Sequence, residues 1–272
     1  MGHGVAKILD PAYVAPLVIR PICYGIDDEL QQIGHLRCPE GNGPWPVVVM
    51  IHGGFWKPDY DLKHADHLCL ALTESGIATW NIEYRRIGSD GGWPKTFEDV
   101  IDAVNYLGRI LEYYPLDLNR VVVAGHSVGG QLALWLGGDH SQFAHLLNTR
   151  LTMPLKGIVS LAGVTDLRLA WKKKLCNKII EQFLGGDPFQ VSDLYKWACP
   201  TRGLPLHIPR VLIHGKYDTD VPVCFSQHYK KMAQKAGDPM VEVVELECGH
   251  LELVHPMMDE YKRVRQKIAD FL

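Results

Sequence analysis

The apolar and polar positions of this chain follow two rhythms that take turns. Pro46-Val47-Val48-Val49-Met50-Ile51 is an unbroken apolar run, as expected of a strand buried on both faces. Leu62 to Ser75 then carries apolar residues at helical spacing (Leu62, Ala65, Leu68, Cys69, Leu72), with Gly76 as a stop signal. The strand pattern returns at Ile77 to Tyr84, and a long helix follows with Phe97, Val100, Ile101, Val104, Leu107, Ile110 and Leu111 on one face. Thr96 reads as its cap, with Asp99 completing an approximate capping box. Strands are predicted at Arg120 to Ala124, Leu155 to Leu161, Val211 to His214 and Val241 to Leu246, and helices at Gln131 to Leu136, Phe225 to Ala236 and Met257 to Leu272. Ile19 to Tyr24 and Gln31 to Arg37 read as an antiparallel hairpin at one sheet edge. Before it, a segment with Pro11 and Pro16 reads as an irregular surface arm.

Strands and helices in alternation imply a mostly parallel central sheet, of about eight strands, with helices on both faces. The rhythm breaks from about 166 to 207, where glycines and prolines gather near Gly185-Gly186-Asp187-Pro188 and Trp171 and Trp197 appear. We read this stretch as a small helical, cap-like insertion after the sixth strand, within one domain covering 1–272.

Composition narrows the functional classes. The 272 residues are 47% hydrophobic, enough for a large core, and the net charge of −3 with 22% charged residues offers nothing to nucleic acid or an anionic membrane. No apolar run approaches the ~18–20 residues of a membrane span, and the start lacks a basic region followed by an apolar one. Seven scattered cysteines, with no Cys-x-x-Cys pair, fit reduced thiols rather than disulfides or a zinc site. A cytoplasmic location is the expectation.

The candidate chemistry gathers at strand ends. Val121-Val122-Val123-Ala124 runs into Gly125-His126-Ser127-Val128-Gly129, and a helical pattern starts at once. Gly-x-Ser-x-Gly is common by chance in a glycine-rich chain, but strand, sharp turn and helix around it form the context of a nucleophile elbow. A serine hydroxyl needs a base within reach, itself held by a third group. Among thirteen histidines, His250 follows the last strand in Glu247-Cys248-Gly249-His250, with His255 as the competitor. Asp218 follows the strand 211–214, with Asp220 and Asp166 as rivals whose alternative use is a cap or turn. An oxyanion needs aimed donors. The Val128 N–H is one, and His52-Gly53-Gly54-Phe55-Trp56 is the turn from which the Gly54 and Phe55 N–H groups would come, with His52 pinning the loop. No carboxylate spacing supports a metal-ligand role for His52 and His126. Phe55, Trp56, Trp93 and Trp171 fall in segments expected near the strand ends and are candidate substrate contacts, unless they pack under loops. Lys172-Lys173-Lys174 could draw in a carboxylate, although a charge run is usually a solvated helix face.

Together the His-Gly-Gly-Phe-Trp turn, Gly-His-Ser-Val-Gly-Gly and the order Ser127, Asp218, His250 resemble an α/β-hydrolase of the kynurenine formamidase and hormone-sensitive-lipase-like esterase branch. Asn81-Ile82-Glu83-Tyr84-Arg85-Arg86 is similar to a strand-end segment of that branch, where the arginine is structural. The chain departs from it at Phe55, where those esterases carry glycine and the formamidases tyrosine, and at Val128, where alanine is commoner. The resemblance implies a serine hydrolase cleaving a small-molecule carboxylic ester or aryl formamide without cofactor or metal, and a homodimer is compatible with it. A prolyl-oligopeptidase-like peptidase and a non-catalytic ligand receptor on the same fold are the alternatives.

Overall fold

A computed structural model describes residues 20–27, 30–175, 178–255 and 258–272. The arm expected before the first strand lies outside the described residues. In chain order the elements are β1 (Arg20–Cys23), β2 (Ile33–Arg37), β3 (Trp45–Ile51), α1 (Asp66–Glu74), β4 (Ala78–Ile82), α2 (Lys95–Asn105), α3 (Leu107–Ile110), β5 (Leu116–His126) and α4 (Val128–Leu136). They continue with β6 (Gly157–Leu161), α5 (Leu167–Lys172), α6 (Ile179–Leu184), α7 (Ser192–Trp197), β7 (Arg210–Gly215), α8 (Cys224–Lys235), β8 (Val241–Leu246) and α9 (Asp259–Ala269). The helices α5 to α7 are the insertion after the sixth strand.

The eight strands form one sheet in the order β1-β2-β4-β3-β5-β6-β7-β8. The β1–β2 and β2–β4 pairs are antiparallel, and the rest are parallel. The order dictates where a ligand can sit. From β3 the chain crosses to β4 on one side, and from β4 it crosses back to β5 on the other side of β3. Connections leaving the carboxyl ends of β3 and β5 therefore diverge and open a crevice between them.

Period-two alternation sorts the strand residues onto the two faces. Val47, Val49 and Ile51 with Val121 and Val123 point toward α2, α4 and α8, whose Phe97, Leu132 and Phe225 share that layer. Val48, Met50, Val122 and Ala124 point the other way, onto Leu68, Cys69 and Leu72 of α1 and Tyr261, Val264 and Ile268 of α9.

Three local expectations are corrected. The helix expected from Leu62 opens as a 3-10 turn over Leu62–Ala65, capped by the Asp61 carboxylate on the Lys63 N–H, before the α-helical part begins at Asp66. Thr96 and Asp99 form no capping box. The Thr96 hydroxyl donates to the Arg85 carbonyl at 2.5 Å and accepts from the Gly92 N–H at 2.9 Å. Asp99, fully buried, takes the Arg85 N–H at 2.8 Å, the Arg85 guanidinium at 2.7 Å and the Gln32 amide at 2.8 Å. A buried guanidinium has a stronger claim on a carboxylate than an orphan helix N–H does. The helix also breaks at Tyr106, between α2 and α3.

The tightest backbone contact lies where β5 turns into α4. A Cβ on Gly125 would stand 2.2 Å from the Gly129 carbonyl oxygen, and one on Gly129 would stand 2.1 Å from that of Ile51 and 2.5 Å from that of His52. These neighbours are main-chain atoms at the end of a central strand and cannot step aside. We expect Gly129→Ala to lower the free energy of unfolding by about 3 kcal/mol, read as a urea midpoint shift. Asp99→Ala takes the buried counter-charge from the Arg85 guanidinium, leaving it only the exposed Asp27 carboxylate at 3.4 Å, and should cost about 3 kcal/mol in the same measurement.

Candidate active site

Ser127 sits between β5 and α4 with φ 56° and ψ −118°, a left-handed backbone that a non-glycine residue adopts only when its surroundings impose it. The surroundings do: the Ser127 N–H donates to the Leu161 carbonyl at 2.8 Å, and the Ser127 carbonyl accepts from the Gln131 N–H at 3.2 Å. Val128, buried, opens α4, so its N–H belongs to the positive end of the helix beside the hydroxyl.

Asp218 follows β7 and His250 follows β8, and the fold brings them together: His250 Nδ1 donates to Asp218 Oδ2 at 2.6 Å. The other carboxylate oxygen accepts the Asp220 and Val221 N–H groups at 2.9 and 2.8 Å, and His214 Nε2 stands 3.4 Å from Oδ2. Burial alone would raise the Asp218 carboxyl, but hydrogen bonds from His214 and His250 outweigh it and hold the group well below the usual carboxylate range. With its proton on Nδ1, His250 presents Nε2 as its basic nitrogen. The rivals have other duties. Asp220 is exposed and lends only its N–H to Asp218. Asp166 caps α5 through the Leu169 N–H at 2.8 Å and pairs with His228 at 3.3 Å. Burial pushes the thiols of Cys69 and Cys248 up to about 12 and that of Cys199 to about 11, so none of them offers a thiolate near neutral pH.

The turn after β3 faces this group. A Cβ on Gly53 would stand 3.2 Å from the Ser127 Cβ, which puts the turn against the elbow. Gly54, Phe55 and Trp56 then follow in left-handed backbone, at φ 113°, 58° and 55°. Three such residues in a row need an anchor, and Glu83 supplies it. Its Oε1 accepts from His52 Nε2 at 2.7 Å and from the Tyr84 N–H at 3.1 Å, and its Oε2 accepts the Leu62 N–H at 3.1 Å. The Tyr84 hydroxyl donates to the His52 carbonyl at 3.0 Å, and the two rings stack with centroids 4.5 Å apart. Burial would raise the Glu83 carboxyl, but the charge and hydrogen bond of His52, with Arg86, bring it below its ordinary value. Sequence reasoning had His52 as the pin and missed Glu83 as its socket. The available signal was an acid directly after a strand, between Ile82 and Tyr84.

The candidate substrate contacts separate by position. Phe55 is partly buried beside Tyr60, with ring centroids 6.3 Å apart. Trp56 is 1% exposed and stacks on Phe183 of α6 at 4.4 Å. The Trp93 N–H donates to the Phe183 carbonyl at 3.2 Å, and its ring packs among Phe97, Trp135, Phe143 and Trp197. Trp171 donates from Nε1 to Glu181 at 2.8 Å. These contacts make the three tryptophans fasteners of the insertion: Trp56 and Trp93 tie α6 to the body, and Trp171 ties α5 to α6. Lys172, Lys173 and Lys174 are exposed. Among the described residues, no group of three His, Cys, Asp or Glu side chains is arranged to hold a metal, and no helix is long and apolar enough to cross a membrane.

The chain is similar to several known proteins. The BD-FAE family profile matches residues 36–232. Neutral cholesterol ester hydrolase 1 of Pongo abelii is 35% identical over 105 residues, which is 37% of this chain and 26% of that protein. Kynurenine formamidase of Meyerozyma guilliermondii is 31% identical over 144 residues, 53% of this chain and 52% of that one. Esterase LipC of Mycobacterium tuberculosis is 24% identical over 244 residues, 86% of this chain and 58% of that one. The chain thus spans about a quarter to somewhat over half the length of these relatives. Among solved structures, esterase B from Lactobacillus rhamnosis superposes with a TM-score of 0.78 at 18% identity, covering 94% of this chain and 85% of that one. A thermophilic esterase from Thermogutta terrifontis gives 0.76 at 18% identity, covering 97% and 96%. The fold is that of the α/β-hydrolases, and the profile match over well over half of its length makes this chain a member of the BD-FAE family.

Proposed function

We propose that the protein is a serine hydrolase that cleaves small-molecule carboxylic esters, with aryl formamides as a second substrate class, through an acyl-enzyme. The observation that carries this reading is the 2.6 Å hydrogen bond from His250 Nδ1 to Asp218, held at the same strand ends as a serine in left-handed elbow geometry. Ser127 Oγ attacks the substrate carbonyl, and His250 Nε2 takes its proton and passes it to the leaving group. Asp218 orients the ring and stabilises the imidazolium that forms. Water, activated by the same nitrogen, then releases the acid and restores Ser127. The Val128 N–H and those of Gly54 and Phe55 receive the oxyanion, each such donor being worth about 3 kcal/mol in the transition state. Support comes from the left-handed backbone of Gly54 and Phe55, in a turn that lies against the Ser127 elbow, and from the Glu83–His52 anchor behind it. Relatives named as a cholesterol ester hydrolase, a kynurenine formamidase and an esterase support these bond types.

The test is turnover of short-chain p-nitrophenyl esters beside N-formylkynurenine. A kcat/KM of about 10⁴ M⁻¹s⁻¹ or more on one of them is expected, and the better substrate decides which bond is the physiological type. Ser127→Ala should lower kcat by a factor on the order of 10⁶. Full activity in that variant would sink the reading. Asp218→Asn keeps the shape of the side chain but favours the wrong His250 tautomer, and should lower kcat by about 10⁴.

A further inference from the structure

His126 and His64 take no part in the chemistry above, yet they form a hydrogen-bonded chain that ends on the proposed general base. His126 Nε2 lies 2.9 Å from the backbone carbonyl of His250, and His126 Nδ1 lies 2.9 Å from His64 Nε2. A carbonyl only accepts, so His126 Nε2 carries the proton. A neutral ring has one N–H, so Nδ1 offers a lone pair and His64 Nε2 must donate to it. Both rings are held neutral. Burial first, then His250 and His64, lowers His126 well below the ordinary imidazole range, and burial with nearby His52 and His250 lowers His64 to about 3. Ring packing follows the same line: His64 and His126 stack with centroids 5.0 Å apart, and His126 and His250 tilt together at 4.6 Å.

The His126 ring also borders the oxyanion turn, because a Cβ on Gly53 would stand 3.1 Å from its Nδ1. One buried imidazole thus touches the loops after β3 and β8 while sitting next to the nucleophile at the end of β5. Asp218 holds the His250 ring through one nitrogen. A second bond, from another strand to the His250 main chain, fixes the backbone that carries the ring, and the His126 ring packs against it.

We propose that His126, locked in one tautomer by His64, is a positioning residue that sets His250 over the Ser127 elbow. The inference rests on the proposed roles of Ser127 and His250. It concerns placement: misplacing a reacting group by about 1 Å can cost on the order of 10²-fold in rate.

The experiment uses the full chain and two readouts, steady-state kcat and KM on p-nitrophenyl acetate and the rate at which a fluorophosphonate probe labels Ser127. His126→Phe keeps a flat ring but has no N–H. His126→Gln keeps a donor at the ε position. His64→Phe removes the donor that holds the tautomer. We expect His126→Phe to lower kcat by roughly 10- to 100-fold, with KM within about twofold and labelling slowed by the same factor. His126→Gln should recover most of the loss, and His64→Phe should fall between it and wild type. A kcat for His126→Phe within about twofold of wild type overturns the proposal. So does a His126→Gln enzyme as slow as the Phe variant, because the ring's shape and not its hydrogen bond would then matter. If His126→Phe does not fold, the comparison of His126→Gln with His64→Phe decides, and wild-type kcat in His64→Phe overturns the tautomer lock. Ser127→Ala, run alongside, separates the two levels. If it still turns over substrate, the hydrolase reading fails; if it is inactive while His126→Phe matches wild type, only the positioning role fails.

Discussion

The structure depends on one close approach of backbone to backbone. The first turn of α4 presses its Gly129 against the carbonyls of Ile51 and His52 at the end of β3, at a separation that leaves no room for a Cβ. Everything at the candidate site follows from that contact. It forces the chain to reverse sharply at Ser127, and the reversal puts a non-glycine residue into left-handed backbone at the carboxyl end of β5, beside β3. The same contact brings the turn after β3 within van der Waals reach of the serine. The proposed nucleophile and the proposed oxyanion turn are thus set against each other by a main-chain contact.

Buried charge then stiffens the loops that this approach leaves strained. Glu83 gathers His52, the Leu62 N–H and the Tyr84 N–H around one carboxylate. Asp99 grips Arg85, two residues beyond Glu83 in the chain, and Arg210 and Asp238 pair in the body of the protein with both side chains fully buried. Replacing such pairs by well-packed apolar groups often gains stability, so their value here is geometric: a charged group with several short bonds has one place to be. Both pairs next to the site hold loops at carboxyl ends of strands, where the sheet itself offers no further hydrogen bonds.

The insertion after β6 is fastened differently, by aromatic packing. Trp56 on Phe183 and Trp93 among Phe97, Trp135 and Trp197 each spend a large side chain on joining short helices to the body, and Trp171 joins α5 to α6 through Glu181. Helices of six residues cannot stand alone, since a short helix gains too few hydrogen bonds to offset its nucleation cost. Large, rigid rings supply the missing burial.

Much of the fold was legible in one dimension because its causes are local. Period two and period 3.6 in the apolar positions marked the strands and helices. Alternation implied a parallel sheet, and β8 at Val241–Leu246 has the bounds that its pattern suggests. The elbow, too, announces itself locally, by glycines on either side of a serine between a strand and a helix. Where the sequence misled, a distant partner won. Thr96 and Asp99 have the spacing of a cap, but the Arg85 carbonyl and guanidinium take them. The polar Asp117 and Asn119 hide the start of β5, which Leu116 joins by pairing with Trp45. The choice of Asp218 over Asp220 and Asp166, the Glu83 socket under His52 and the His64–His126 chain reaching the His250 carbonyl join residues up to 124 positions apart. Residue types and periodicity, which act within a turn or a strand, determined the elements and the candidates for chemistry. Which candidates meet was decided only when the strands took their order in the sheet, because hydrogen bonds between loops depend on positions in space that no local pattern records.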